Sequence, residues 1–220
     1  MRAMRIESNQ QKYLNQVFGL NDPELAEIRE ALFEHDVEFM SVSGAEARIL
    51  QFLIRATGAR KVVEVGTLFG YSTLAMAKAL PDLGVIWTLE KSAQNFAMAS
   101  KHFAKFSAGS KVRALNGDAA ELLTSIEKEG PFDLVFIDAD KAGYVKYLEW
   151  AEKNVRKGGY IVGDNTFLFG AMWGETSDRN ISAKQVAVMS EFNERLADPS
   201  RYNSTLIPTA DGITVAQKLF

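Results

Sequence analysis

The chain has 220 residues, of which 47% are hydrophobic and 24% charged, and this composition predicts one globular domain with a substantial core. The absence of cysteine excludes disulfides, thiolate metal sites and cysteine nucleophiles. The formal net charge of −3 argues against a large nucleic-acid surface. No apolar stretch approaches the roughly 20 residues of a membrane span, and the polar start lacks the apolar core of a signal peptide. We therefore expect a cytoplasmic protein.

From about Asn9 to Arg55 the sequence shows a helical periodicity. One helix is predicted to begin after Asp22, which can serve as the N-cap, with Pro23 at the first helical position. Another is predicted after Ser43, because Glu46 stands at the spacing of a capping box. No linker or repeat separates these helices from the rest of the chain. We expect a single domain, with 1–56 as an N-terminal helical segment and 57–220 as the core.

From residue 57 onward, short apolar strands alternate with helices. The predicted elements are Arg60–Gly66, Ser72–Leu80, Val85–Glu90, Ser92–Phe106, Val112–Asn116, Ala119–Lys128, Phe132–Asp138, Tyr144–Asn154 and Tyr160–Asp164. This alternation is typical of a doubly wound α/β three-layer sandwich, in which ligands bind beyond the carboxyl ends of parallel strands. Two further β-rich runs, Tyr202–Thr209 and Ile213–Leu219, flank an Asp-Gly pair and predict a terminal antiparallel hairpin.

Two of the apolar runs end abruptly on acidic residues. One ends at Asp138 and the other at Asp164-Asn165. If the two strands are neighbours, two carboxylates and an amide oxygen converge, a set that favours magnesium, calcium or manganese over zinc. Lys141 would overlook the same point, unless it is a surface lysine or simply a partner for Asp138. The structural alternative for the acids is that each caps the helix or turn after it.

The first strand ends in a glycine turn that suggests a cofactor. Gly66 and Gly70 have G-x-x-x-G spacing, which differs from the G-x-G-x-x-G of pyrophosphate-binding loops and disfavours a nicotinamide dehydrogenase. Glu90 ends the second strand, where an acid binds ribose hydroxyls in nucleotide-binding sheets. An adenosine without a phosphate motif indicates S-adenosylmethionine. An ordinary strand-to-helix turn and a solvated acid are the structural alternatives.

Together these motifs resemble the cation-dependent class I O-methyltransferases, the caffeoyl-CoA and catechol group with its small bacterial relatives. The segments that carry the resemblance are Glu64-Val65-Gly66 through Ser72, Glu90, Gly117-Asp118-Ala119, Ile137-Asp138-Ala139-Asp140-Lys141 and Gly163-Asp164-Asn165-Thr166. The resemblance extends from about Met40 to the C-terminus. It implies a Rossmann-like, seven-stranded, mostly parallel sheet that ends in an antiparallel hairpin.

The resemblance also implies a set of site residues. The implied S-adenosylmethionine contacts are Met40, Val42, Glu64, Gly66, Thr67, Ser72, Glu90, Ala119, Asp138 and Asp140. The implied ligands of a divalent cation, Mg²⁺ or alternatively Ca²⁺ or Mn²⁺, are Asp138, Asp164 and Asn165. Lys141 matches the catalytic base, acting beside Asp138. The expected methyl acceptor is a catechol-like or other vicinal-dihydroxy aromatic, and the expected assembly is a homodimer in which the N-terminal helices cover the substrate and form contacts.

Several alternatives stay open. The apolar stretch Phe167–Trp173 could form a wall for an aromatic ring or pack under the N-terminal helices, and Leu168-Phe169 stands where the plant caffeoyl-CoA enzymes have Trp-Asn. The same chemistry on a hydroxylated tRNA base would be favoured by a basic face built from Arg2, Arg5 and Lys12. A non-catalytic S-adenosylmethionine-binding module is the third interpretation.

Overall fold

The computed structural model describes residues 8–175 and 180–220. The α-helices in this part of the chain are α1 (Asn9–Phe18), α2 (Pro23–Glu34), α3 (Gly44–Thr57), α4 (Tyr71–Ala79), α5 (Ala93–Lys105), α6 (Ala119–Ser125), α7 (Tyr144–Asn154) and α8 (Ala183–Leu196). The strands are β1 (Lys61–Val65), β2 (Val85–Glu90), β3 (Val112–Asn116), β4 (Phe132–Ile137), β5 (Val155–Asp164), β6 (Tyr202–Ile207) and β7 (Ile213–Lys218). Within the described ranges, no helix is both long and apolar enough to cross a membrane. The cytoplasmic location stays a prediction.

The seven strands belong to one sheet in the order β3-β2-β1-β4-β5-β7-β6. The pairs β2/β3, β1/β4 and β4/β5 are parallel, whereas β7 runs antiparallel to both β5 and β6. The sheet is therefore mostly parallel and ends in a C-terminal antiparallel hairpin. This confirms the predicted Rossmann-like methyltransferase architecture.

The fold divides into two compact units. The first consists, in its described part, of residues 8–60 and Thr67–Ala119, and the second of Lys61–Gly66 with the described residues of Ala120–Phe220. The single domain over 1–220, with its boundary after residue 56, stays a prediction.

In the first unit, local capping determines where the N-terminal helices begin. Asp22 accepts hydrogen bonds from the backbone amides of Glu24 (3.0 Å) and Leu25 (3.2 Å), so α2 begins at Pro23 as predicted. Ser43 and Glu46 form the reciprocal capping box at the start of α3. These bonds satisfy backbone N–H groups that a helix start leaves without a partner.

In the second unit, β4 is the most deeply buried strand, with the apolar side chains of Leu134 to Ile137 all fully buried. A strand buried on both faces has the continuous apolar sequence that β4 shows. The neighbouring β5 begins at Val155, five residues before the predicted start at Tyr160, and its register to β4 shifts between Phe132 and Leu134. Helix α8 was not predicted, although Ser182 and Gln185 form a capping box at its start.

Candidate active site

The two acid-ended strands lie side by side, which is the condition under which their acidic residues converge. Strand β4 pairs with β5 in parallel, and Ile137 is opposite Gly163 at the end of the ladder. The next residue on each strand is a predicted metal ligand, Asp138 on one and Asp164 on the other. The register therefore brings these two carboxylates to the same edge of the sheet. Asn165 comes directly after Asp164, with a left-handed backbone (φ 54°).

Strand β1 also ends at this edge. The amide of Asp138 donates to the carbonyl of Val65 over 2.9 Å, and Val65 is paired with Ile137. Gly66 is the next residue, with φ 105°, and a Cβ atom there would stand 1.9 Å from the carbonyl oxygen of Asp138. Only glycine fits so close a backbone approach. The backbone at Asp138 thus requires glycine at position 66, independently of any ligand.

Lys141 is held inside the acidic cluster. Its Nζ donates to the hydroxyl of Tyr144 over 2.7 Å and lies 3.5 Å from Oδ1 of Asp138. The side chains of Lys141 and Asp138 are 12% and 17% exposed, so Lys141 is not a surface lysine. Its pairing with Asp138 is compatible with both remaining interpretations, proton acceptor and counter-charge.

Tyr144 is a site residue that the sequence analysis missed. The first residue of α7, it is completely buried, and its hydroxyl lies 3.1 Å from the carbonyl oxygen of Ile137 and 2.8 Å from that of Asp164. Burial raises the pKa of Tyr144 well above its ordinary value, and the charges of nearby acids, Asp138 and Asp164 foremost, raise it further. The phenol is therefore neutral at physiological pH. A buried tyrosine needs a hydrogen-bond partner, but the sequence alone does not identify it.

The donor chemistry at this edge fits a hard divalent cation. Asp138, Asp164 and Asn165 offer oxygen ligands, and Asp164 is only 4% exposed. The acids that raise the pKa of Tyr144 also include Asp140 and Asp211, so negative charge is concentrated at this point. In the described part of the chain, no three His, Cys, Asp or Glu side chains are arranged as a metal-binding group. The predicted ligand set has two carboxylates and the amide of Asn165. Because asparagine is not one of those four residue types, this set has only two of the three side chains that such a group requires.

The segment after Asn165 forms a strained loop. Leu168 and Phe169 both have left-handed backbones, with φ of 51° and 56°, which is unusual for non-glycine residues. The carboxylate of Asp211 accepts a hydrogen bond from the amide of Phe169 over 2.7 Å. Phe167 contacts Trp173 edge to face, with ring centroids 5.1 Å apart, and Trp173 is 55% exposed. Asp211, which the sequence places in a hairpin turn within the segment that carries the family resemblance, therefore holds this loop.

Glu90 organises the cofactor end of the first unit. Its two carboxylate oxygens accept hydrogen bonds from the amides of Leu68 (2.8 Å) and Ser92 (2.7 Å). The carbonyl of Glu90 accepts from the side chain of Asn116 (2.7 Å) and from the amide of Gly117 (3.0 Å). Glu90 thus connects the glycine turn, the start of α5 and the end of β3, and it is not merely a solvated acid.

The remaining predicted cofactor contacts are distributed between the two units. In the first unit, Val42, Thr67 and Ser72 are buried, Ala119 is half-buried and Met40 is 53% exposed. Thr67 shares a 2.5 Å hydrogen bond with Thr88. In the second unit, Glu64 is fully buried in β1, and Asp140 accepts a hydrogen bond from Tyr147 over 2.6 Å. Whether these residues contact a cofactor stays a prediction.

The predicted basic face for RNA stays a prediction as well. Arg2 and Arg5 lie outside the described residues, and Lys12 is exposed on α1.

Comparisons with known proteins give one consistent result. A protein-family model described as O-methyltransferase matches residues 16–219. The catechol O-methyltransferase of Niastella koreensis is 34% identical over 197 residues, which are 89% of this chain and 87% of that protein. Caffeoyl-CoA O-methyltransferase 2 of Zea mays is 33% identical over 207 residues, 90% of this chain and 78% of its own length.

Solved structures agree with the sequence relatives. The O-methyltransferase TomG from Streptomyces achromogenes, in complex with S-adenosylmethionine, has a TM-score of 0.85 and 30% identity, covering 97% of this chain and 100% of that chain. The O-methyltransferase from Bacillus cereus, in complex with S-adenosylhomocysteine, has a TM-score of 0.83 and 32% identity. The match covers 94% of this chain and 96% of that chain.

Proposed function

Because the chain belongs to the O-methyltransferase family, we propose that it transfers a methyl group from S-adenosylmethionine to a hydroxyl of a catechol-like aromatic, assisted by a divalent cation. The observation that carries the proposal is the pairing of β4 with β5, which brings Asp138 and Asp164 to one edge of the sheet. Asn165 adds an amide oxygen to the two carboxylates. Mg²⁺ prefers such ligands, and three of them leave positions for two acceptor oxygens and a water.

S-adenosylmethionine is the proposed methyl donor. Solved relatives that cover nearly the whole chain bind S-adenosylmethionine or S-adenosylhomocysteine. In this chain, the carboxylate of Glu90 at the end of β2 is the group best suited to two vicinal ribose hydroxyls. Its two bonds to backbone amides fix its orientation, so that its remaining lone pairs are preoriented for a ligand.

The chemistry at the acceptor needs charge and positioning more than covalent participation by the protein. When bound, S-adenosylmethionine would supply the methyl group, and the cation would lower the pKa of the acceptor hydroxyl and fix the ring. The amino group of Lys141 would accept the hydroxyl proton at Nζ. Asp138 and Tyr144 hold that amino group in place.

The aromatic pair of Phe167 and Trp173 supports an aromatic acceptor. The half-buried ring of Phe167 packs against Trp173, whose own ring is largely exposed and can stack on a flat substrate. Because Leu168-Phe169 replaces the Trp-Asn of the plant enzymes, we propose a small catechol rather than a caffeoyl-CoA ester as the preferred acceptor.

We also propose that the protein acts as a homodimer. Helices α1 to α3 carry large apolar side chains that are more than half exposed, namely Tyr13, Val17, Phe18, Phe33 and Phe52. Exposed apolar residues on neighbouring helices are typical of an interface.

An assay of methyl transfer tests the proposed function. The protein is incubated with S-adenosylmethionine and either catechol or caffeic acid, with Mg²⁺ or with EDTA. We expect methylation that EDTA abolishes. Asp138→Ala removes a ligand and should slow the reaction more than tenfold, which corresponds to about 1.4 kcal/mol of barrier.

Asp82→Ala is the matched control, because Asp82 is an exposed acid in the loop before β2. Its rate should stay within twofold of the wild type. Full activity in EDTA would remove the cation from the proposal. Methylation of tRNA with no turnover of either phenol would instead identify the nucleic-acid alternative.

A further inference from the structure

The hydroxyl of Tyr144 contacts both strands that carry the predicted metal ligands. It lies 3.1 Å from the carbonyl of Ile137, the last residue of β4, and 2.8 Å from that of Asp164, the last residue of β5. It also accepts a hydrogen bond from Lys141. We propose that Tyr144 is a positioning residue, which orients the amino group of Lys141 and ties the two strand ends together. The inference rests on the proposed role of Lys141 as proton acceptor.

The hydrogen-bonding capacity of a phenol explains how Tyr144 can both orient Lys141 and connect the two strand ends. A tyrosine hydroxyl has one proton to donate and lone pairs with which to accept. Here the hydroxyl of Tyr144 donates its proton toward the carbonyl oxygens of Ile137 and Asp164. A lone pair of the same hydroxyl oxygen accepts the hydrogen bond from Nζ of Lys141. The direction of the Lys141 side chain is therefore determined by the positions of the two strand ends.

The hydrogen bond from Lys141 to Tyr144 is shorter than the contact between Lys141 and Asp138. The Nζ–hydroxyl distance is 2.7 Å, whereas Nζ lies 3.5 Å from Oδ1 of Asp138, which is at the limit of a hydrogen bond. The Nζ atom of Lys141 also lies 4.6 Å from the centre of the Tyr144 ring. We infer that Tyr144, more than the ion pair, determines where this amino group stands.

The ring of Tyr144 is itself fixed. It packs edge to face against Phe192 of α8, with centroids 5.2 Å apart, and is fully buried. Phenylalanine would fill the same volume, so packing alone does not require the hydroxyl. A buried hydroxyl costs free energy unless it is hydrogen-bonded, and this one is placed between two strand ends and the lysine.

The test compares Tyr144→Phe with Tyr202→Phe, which also removes a hydroxyl from a buried tyrosine, one bonded to Glu152 (2.6 Å). Single-turnover methylation of catechol is measured at saturating substrates, and the KM for S-adenosylmethionine is measured separately in steady-state assays at varied concentrations of S-adenosylmethionine. We expect Tyr144→Phe to slow the step tenfold or more, with the KM for S-adenosylmethionine changed less than twofold. It should also weaken Mg²⁺ binding severalfold by calorimetry. Tyr202→Phe should leave the rate, the KM and the Mg²⁺ affinity within twofold of the wild type.

A double-mutant cycle separates action through Lys141 from general damage. In a Lys141→Met background, Tyr144→Phe should slow methyl transfer by less than a further twofold. A full tenfold effect in that background would overturn the inference, as would a wild-type rate for Tyr144→Phe alone. If Lys141→Met itself reacts at the wild-type rate, the proposed role of Lys141 fails, and the inference falls with it.

A second measurement serves if Tyr144→Phe does not fold. In nitrogen-15 spectra of lysine side chains, recorded on the metal-free wild type, a hydrogen-bonded and buried Lys141 amino group should give a resolved signal that is missing in Lys141→Met. Absence of that signal in the wild type would overturn the inference without any measurement of activity.

Discussion

Glu90 illustrates how much one carboxylate can organise. Two of its lone pairs are used by the amides of Leu68 and Ser92, and a carboxylate has about four. The bond to Leu68 matters because that residue has a left-handed backbone (φ 51°), which is unfavourable for leucine. The acid therefore stabilises the loop and leaves acceptor capacity for two ribose hydroxyls.

We predict that Glu90→Gln weakens S-adenosylhomocysteine binding by tenfold or more. Glutamine has one acceptor oxygen, so it can satisfy only one of the two backbone amides, and it loses charge-assisted bonds of about 1.5–3 kcal/mol each. Isothermal titration calorimetry measures the affinity. Glu121→Gln, at an exposed position of α6, is the control and should bind as the wild type does. An unchanged affinity for Glu90→Gln would contradict the role assigned to Glu90.

Three of the residues that the sequence identified share one property. Glu90, Asp138 and Asp164 each end an apolar run, so their position can be inferred from local pattern and the parallel sheet. Tyr144 and Asp211 do not end such a run. Their roles depend on hydrogen bonds to segments distant in the chain, such as that of Asp211 with Phe169, and periodicity contains no information about such pairs.

At the scale of elements, local sequence signals predicted the helix boundaries that local interactions, such as capping, determine. Helices α2 and α3 begin where their caps predict, and α7 has the predicted bounds Tyr144–Asn154. The early start of β5 was not predictable, because Arg156 to Gly159 are polar or glycine and the strand begins there with the pairing of Val155 with Phe132 on β4. Helix α8 could have been found from its capping box and from Met189, Phe192 and Leu196, spaced as one helical face.

The turn between β6 and β7 holds the loop that comes after the predicted metal ligands. Beyond the bond from Phe169 to the Asp211 carboxylate, the amide of Phe167 donates to the carbonyl of Asp211 (2.9 Å) and that of Thr166 to the carbonyl of Gly212 (3.1 Å). The ring of Phe167 packs against Gly212, where a Cβ atom would come within 2.9 Å of it. The hairpin thus supports the aromatic pair.

We predict that Asp211→Ala raises the KM for the acceptor severalfold and lowers the free energy of unfolding by about 1–3 kcal/mol, because the amide of Phe169 loses its partner. Asp211→Asn keeps an acceptor oxygen and should restore most of both quantities. Steady-state kinetics and urea unfolding measure them. If the asparagine variant were as impaired as the alanine variant, the charge of Asp211 rather than its hydrogen bond would be responsible.

At the scale of the whole molecule, the alternation of strands and helices predicted the class of fold but not the strand order. The neighbours β1 and β4 are separated by about 65 residues of chain, and such pairing is decided by the packing of entire elements rather than by local propensity. The order reverses between these two strands, which is where open α/β sheets bind ligands. Gly66 and Asp138 are the residues directly after them.

The predicted site has two functions, cofactor binding and metal binding, and thermal unfolding can separate them. A ligand at 100 times its dissociation constant stabilises the folded protein by about 2.7 kcal/mol. For a chain of this size, that amounts to a rise in Tm of roughly 5–10 °C. We predict such a rise for the wild type with saturating S-adenosylhomocysteine, and a further rise when Mg²⁺ is added.

Two variants should lose these effects separately. Asp164→Asn removes a charged metal ligand at a position that is not among the predicted cofactor contacts, so it should lose the response to Mg²⁺ and keep that to S-adenosylhomocysteine. At a fixed, moderate concentration of S-adenosylhomocysteine, Glu90→Gln should lose the response to this ligand and keep the response to Mg²⁺. Scanning calorimetry of both variants against the wild type measures the shifts. If Asp164→Asn lost both responses, the two functions would be inseparable, because a metal ligand would then be needed for cofactor binding.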